Sequence, residues 1–238
     1  MIDIHTHIIP NVDDGSKSLE ASIKLLEQEI EYGVTDIICT PHYRRHMFET
    51  DVDTVNLSFF NLLEEVNKKA LNVNLFLGQE IYCRNIEGFE KTLNYLDEKR
   101  VLTFGNSKYI LLEFSYTRDI DISEVIYMAK KRGYFPIVAH IERYEYIDSI
   151  DKVEEIIGAG AMIQVNASSV IGKDGGKRKK FVNKLIASNL IDFVASDIHE
   201  SRKNYLKAAF EYVNKKHSKE IANKIFNNNA KQLLDLIK

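Results

Sequence analysis

Short apolar runs that fail to alternate with polar residues constrain this chain most. Asp36-Ile37-Ile38-Cys39 and Tyr109-Ile110-Leu111-Leu112 are nearly continuous. A strand wetted on one face alternates; a strand buried on both faces, as in a parallel sheet covered by helices, does not. Seven segments read as such strands: 2–5, 35–40, 73–78, 109–114, 135–139, 162–166 and 193–196. Amphipathic stretches at helical spacing separate them, at 19–32, 52–71, 122–132, 152–158, 177–189 and 203–216. Two more, around 220–227 and 230–236, finish the chain. Ser16 or Ser18 can cap the first helix, and Gly33 can end it. The alternation predicts an α/β fold with right-handed crossovers. Only three prolines occur, with no linker or repeat, so residues 1–238 read as one domain.

The strand ends carry the chemistry. The first strand runs into His5-Thr6-His7, and residues two apart on a strand face the same way. His42, Glu80, Glu113, His140, Asp197 and His199 each sit at the end of another predicted strand or directly after it. In an open sheet, function gathers at one switch point, whereas a barrel spreads it over the carboxyl ends of all its strands. The pattern therefore favours a closed, distorted barrel. Asp13 and Asp14 precede Gly15 in the first strand-to-helix loop, where Asp13 reads as a turn residue.

The net charge of -3, with both signs mixed along the chain, argues against a dedicated nucleic-acid binder. The one dense basic run, Lys177-Arg178-Lys179-Lys180, reads as a solvated loop entering a helix, with a docking patch for an acidic or phosphorylated partner as the alternative. Two cysteines cannot build a disulfide framework. No leader-like segment and no run of about 20 apolar residues is seen, so no membrane insertion and a cytoplasmic location are expected.

Imidazoles and carboxylates without thiolates suit Mn, Fe or Zn and disfavour a structural cysteine-type zinc site. Nine candidates, His5, His7, Asp14, His42, Glu80, Glu113, His140, Asp197 and His199, are too many for one ion. Two or three ions sharing bridging carboxylates would use them. Such sites clamp the attacking and leaving oxygens of phosphoryl transfer, so phosphoester hydrolysis is favoured. Arg143, three residues after His140, can grip two phosphate oxygens at once.

Taken together, Ile2-Asp3-Ile4-His5-Thr6-His7, Val12-Asp13-Asp14-Gly15, Thr40-Pro41-His42, Gly78-Gln79-Glu80, Leu112-Glu113-Phe114, Ala139-His140-Ile141-Glu142-Arg143 and Ala195-Ser196-Asp197-Ile198-His199 resemble the polymerase and histidinol phosphatase superfamily. Within it they are most similar to the protein-tyrosine phosphatases of Gram-positive bacteria, which accompany a bacterial tyrosine kinase in capsule or exopolysaccharide loci. The resemblance implies a distorted (β/α)7 barrel and a trinuclear site, typically of manganese. It implies one ion on His5, His7 and Asp197 with Glu80 bridging, a second on Glu80, Glu113 and His140, and a third on Asp14, His42 and His199. A carboxylate at Asp14, where histidinol phosphatases tend to have histidine, favours the tyrosine phosphatase branch. Arg143 matches the family's phosphate-binding arginine, and Arg202 stands as a second basic residue after the last strand.

The activity so implied is hydrolysis of phosphotyrosine by a metal-bridging hydroxide, with a phenolate of pKa ~10 as an undemanding leaving group. The competing enzyme readings are a histidinol phosphatase or other small phosphomonoesterase, and a nuclease-like diesterase. A non-catalytic phosphotyrosine-binding module is the reading from another class. Cys39-Thr40-Pro41-His42-Tyr43-Arg44-Arg45 fits the Cys-x5-Arg pattern of cysteine-dependent phosphatases. It reads as coincidence, because Pro41 removes a phosphate-cradling N–H and Cys39 lies in an apolar strand. The loop 43–48, with Arg44, Arg45, Met47 and Phe48, is either an ordinary barrel loop or a grip for a tyrosine-containing tail.

Overall fold

The computed structural model describes residues 1–237. Among the described residues nine parallel strands build the frame: β1 (Ile2–Thr6), β2 (Asp36–Cys39), β3 (His42–Tyr43), β4 (Asn74–Leu77), β5 (Glu80–Cys83), β6 (Tyr109–Phe114), β7 (Phe135–Val138), β8 (Met162–Asn166) and β9 (Phe193–Ala195). They form two sheets, β1-β2-β4 and β3-β5-β6-β7-β8-β9. The nine strands occupy seven positions, because β3 prolongs β2 beyond Pro41, and β5 prolongs β4 beyond Gly78-Gln79. Pro41 has no N–H to offer a ladder, so a break is expected there. Gly78 passes so close to Phe104 that a Cβ would lie 2.5 Å from its ring. The ring closes where β9 meets β1, through the bonds Asp197 N–H to His5 O (3.0 Å) and His7 N–H to Ile198 O (2.9 Å). The result is the distorted seven-position barrel that the sequence predicts.

Helices cover the outside: α1 (Leu19–Glu31), α2 (Val52–Lys68), α3 (Ile86–Asp97), α4 (Ile122–Lys131), α5 (Ile150–Gly158), α6 (Ala167–Ile171), α7 (Gly176–Ala187), α8 (Leu206–Lys216), α9 (Lys219–Asn223) and α10 (Asn229–Ile237). Ser18, Asp51, Asn85, Asp121, Ser149 and Ser218 each accept an N–H of the first turn of a helix, which satisfies a donor that has no intrahelical partner. Helix α3 adds to the expected set. Its apolar face is Phe89, Leu93 and Leu96, but Gly88 in its first turn and the polar residues around it dilute the signal.

Two apolar cores result. The larger lies between strands and helices. The smaller fills the amino end of the barrel, where Ile2, Ile4, Ile38, Leu111, Ile137 and Phe193 meet Leu233, Leu234 and Ile237 of α10. Helix α10 thus plugs the end opposite the polar strand termini. No helix among the described residues is long and apolar enough to cross a membrane.

Candidate metal centre

The strand termini converge at the carboxyl end. In β1 the pairing register slips between Asp3 and Thr6; His5 lies within that stretch and His7 just past it, and both side chains meet Glu80 at the barrel mouth. Glu80 opens β5 in direct register with His42 at the start of β3. Glu113 sits in β6 opposite Tyr82. His140 follows β7 and Asp197 follows β9, both in the left-handed region with φ of 31° and 52°. Left-handed backbone at a non-glycine residue costs on the order of 1 kcal/mol or more, and clusters where function fixes a side chain's direction.

Glu80 is the hub. Its Oε2 lies 3.2 Å from Nε2 of both His5 and His7 and 2.9 Å from His42 Nδ1, and its Oε1 lies 2.8 Å from His140 Nε2. Asp197 Oδ1 stands 3.7 Å and 3.6 Å from the same two Nε2 atoms of His5 and His7. Asp14 Oδ1 is 3.5 Å from His42 Nε2 and from His199 Nε2. Glu113 lies 3.9 Å from both His42 and His140.

Tautomers show what this array lacks. Gln164 Oε1 accepts the His140 backbone N–H at 2.8 Å, so that atom is oxygen, and it meets His5 Nδ1 at 3.2 Å. His5 therefore carries its proton on Nδ1. His7 Nδ1 donates to Asp13 Oδ2 at 2.7 Å. In the neutral rings both Nε2 lone pairs then point at each other, 3.2 Å apart, and at a carboxylate. Three acceptors aimed at one point are reconciled by a cation, either a proton or a metal ion. Buried atoms without a hydrogen-bond partner gather here too: His42 Nδ1, Glu80 Oε2, Glu113 Oε2 and His199 Nε2. Five carboxyl groups, those of Asp13, Asp14, Glu80, Glu113 and Asp197, and two guanidinium groups, those of Arg143 and Arg202, share this mouth with the histidines, so it is rich in ligand oxygens. The donors fall into three groups, each with its ligand atoms within 4.8 Å: His5, His7 and Glu80; His42, Glu80 and Glu113; His7, Asp14, His42 and His199. This set fits hard to borderline divalent ions.

Ionisation follows the same layout. Burial alone would lower the pKa of His5 and His7, but the carboxylates of Glu80, Asp197 and Asp13 raise both. Burial would raise Glu80, yet its ring of histidines holds it well below the usual carboxylate range. Glu113 goes the other way, pushed up to about 7 by burial and by the Glu80 charge beside it. His140 falls to about 4 because burial outweighs its bond to Glu80.

The full chain resembles known proteins. The family described as capsular polysaccharide synthesis, CpsB/CapC, matches residues 1–235. The chain belongs to the CpsB/CapC family. It is 36% identical, over 243 aligned positions and 98% of each chain, to the tyrosine-protein phosphatase CpsB of Streptococcus agalactiae. It superposes with a TM-score of 0.87, at 28% identity and over 100% of this chain and 94% of the other, on a crystal structure from the pair YwqE of Bacillus subtilis and CpsB of Streptococcus pneumoniae, metal-dependent tyrosine phosphatases. The phosphotriesterase homology protein of Escherichia coli, with phosphate in its active site, gives 0.64 at 14% identity over 97% of each chain, a likeness of fold alone.

In this CpsB/CapC chain the eight residues expected at the strand ends, and Asp14 from the first strand-to-helix loop, lie around one barrel mouth, and both arginines reach it. Arg143 Nη1 is 3.1 Å and Arg202 Nη1 is 2.7 Å from Asp197 Oδ2. Asp13 does more than turn the chain. It bonds Gly15 N–H at 2.9 Å, but its other oxygen holds both His7 Nδ1 and the His42 N–H. Gly15 is required beside it, since a Cβ there would lie 2.2 Å from His7 O. Strand β8, the one with no acidic or histidine end, supplies supports instead. Gln164 orients His5 and His140, and Asn166 Nδ2 donates to Asp197 at 2.8 Å. Their two-apart spacing at a strand end matches that of His5 and His7 and was the available signal. Cys39 is fully buried and its thiol is pushed up to about 12, which is the wrong state for a nucleophile.

Proposed function

We propose that this chain is a metal-dependent protein-tyrosine phosphatase of the capsule or exopolysaccharide pathway. The observation that carries the reading is the convergence of the His5 and His7 Nε2 atoms on Glu80 Oε2, 3.2 Å from each, at a mouth where Arg143 and Arg202 stand. Its relatives' phosphatase activity agrees with it. His5, His7 and Asp197 would hold one ion and Glu80, Glu113 and His140 a second, with Glu80 shared. Asp14, His42 and His199 would hold a third, and His42 also reaches the second group through Nδ1. Manganese is the proposed metal, with Fe or Zn as chemically suited substitutes. Ions bound there would neutralise phosphoryl charge and bring the pKa of coordinated water toward neutrality.

The residues set the direction of approach. His5, His7 and Glu80 are sealed from solvent, whereas the side chains of Arg143, Arg202 and Asp14 are 23%, 41% and 51% exposed. Phosphate therefore enters on the arginine side. Arg143 stacks on Tyr116, 4.6 Å from the ring centre, which fixes the plane of its guanidinium while leaving N–H donors for phosphate oxygens. Tyr116 is itself held by Glu113 at 3.0 Å. Asp197 restrains both arginines by the same oxygen. The tyrosyl oxygen departs as a phenolate of pKa ~10 and needs no strong general acid, unlike an alkoxide. The proposed substrate protein is a bacterial tyrosine kinase, met in the cytoplasm.

The test compares a phosphotyrosine peptide, a phosphoserine peptide and histidinol phosphate, each with Mn2+ and with chelator. Hydrolysis of phosphotyrosine that chelator abolishes is expected. Turnover of histidinol phosphate alone would move the chain to the sister branch, and indifference to chelator would overturn the metal reading.

A further inference from the structure

A groove of about 740 Å3 leads away from Arg143. One wall is the stretch 142–148 and the other is helix α7, which packs against the short helical turn Ile141–Arg143. Tyr144, Ile147 and Phe181 give it an apolar floor, and Lys177, Arg178, Lys180 and Lys184 line its rim. Lys177, Lys180 and Lys184 recur at helical spacing along one side of α7, and all three are exposed. None of these four cations forms an ion pair among the described residues. The acids in the groove are mostly engaged elsewhere. Asp174 accepts hydroxyls from Ser168 and Ser169, Asp148 pairs with Lys152 at 2.9 Å, and buried Glu142 takes the Asn166 N–H. Glu145 is the exception. The groove is thus cationic at the rim, apolar at the floor, and joined to the residue assigned to phosphate.

We propose that this groove binds an acidic peptide segment flanking the phosphotyrosine and so sets which proteins are dephosphorylated. The proposal rests on the phosphatase reading for its place in catalysis. Unpaired lysines on one helix side steer and hold carboxylates of an extended chain, while the floor takes an apolar or aromatic neighbour. A nucleic acid is the less suitable polyanion. The cations form a single short row and the chain as a whole is negative, at -3.

The experiment uses the full Mn2+-loaded chain and the triple variant Lys177→Ala, Lys180→Ala, Lys184→Ala. Substrates are p-nitrophenyl phosphate and three short phosphotyrosine peptides whose flanks are Glu-rich, uncharged or Lys-rich. Wild type should prefer the Glu-rich peptide. The triple variant should lose roughly tenfold in kcat/KM on that peptide, mostly through KM, as three modest exposed charge pairs together predict. The loss should shrink as salt rises. Hydrolysis of p-nitrophenyl phosphate and of the uncharged peptide should stay unchanged. Equal kcat/KM for Glu-rich and Lys-rich peptides in wild type would overturn the proposal, as would an equal loss on p-nitrophenyl phosphate in the variant. Binding of a fluorescent, unphosphorylated Glu-rich peptide is measured in parallel, so that an inactive protein refutes the phosphatase reading without hiding the groove. Tighter binding of a single-stranded DNA oligonucleotide than of that peptide would also overturn the proposal.

Discussion

The two ends of the barrel are made from the same strands and are opposite in kind. At the amino end, Ile2, Ile4, Ile38, Leu111, Ile137 and Phe193 form an apolar cluster with Leu233, Leu234 and Ile237 of α10. At the carboxyl end, a few residues further along those strands, histidines and carboxylates lie 2.7–3.9 Å apart, and several of their buried atoms lack a hydrogen-bond partner. The first arrangement is stable by itself. The second is not, since ionisable groups crowd together there and burial forbids water from solvating them. The fold can hold such a mouth because the other end is well packed.

The largest effect is expected from Glu80→Gln. It removes the shared carboxylate, so metal content measured by elemental analysis should fall and kcat/KM on a phosphotyrosine peptide should drop ~10³-fold or more. Chelator should lower the melting temperature of wild type by mass action and leave that of the variant unchanged. Leu234→Ala strikes the opposite end. A cavity beside this residue, 2% exposed, should cost ~2–5 kcal/mol in urea unfolding, with kcat of the folded protein unchanged. If Leu234→Ala lowered kcat as well, the two ends would not be separable. Arg143→Lys should lose ~10–100-fold in kcat/KM while metal content stays, because lysine cannot present a planar fork. Asp13→Asn should weaken metal affinity by ~10–100-fold, read by metal titration, through the loosened rings of His7 and His42.

Cys39→Ser should be the mildest, with activity retained within about twofold. Burial raises the Cys39 thiol from 9.0 to about 12. The stability linked to that neutral thiol is therefore fully present below pH 9 and is lost as the pH climbs toward 12. Alkylation by iodoacetamide at pH 7 should accordingly be negligible in the folded protein. Rapid inactivation there would restore the cysteine mechanism.

The strands and the charged residues at their ends were legible because burial on both faces removes alternation, and because a histidine or carboxylate in such a run stands out. Supports were harder to see. Gln164 and Asn166 are uncharged, and only the folded barrel places Gln164 between His5 and His140. Asp13 beside Gly15 has the look of any turn, and its second task depends on His7 and His42 arriving from β1 and the start of β3. The groove on α7 was visible as a basic run, but the neighbour that gives it meaning, Arg143, joins it only through tertiary packing.

The seam between β9 and β1 has a consequence for how the protein is made. His5 and His7 leave the ribosome well before Asp197 and His199, which stand on the other side of that seam. Until the ninth strand docks, the two histidines and Glu80 have no Asp197 beside them and nothing closes the ring. A chain whose β9 has not docked therefore cannot bring the proposed ligand set together, and full metal loading would report a closed barrel.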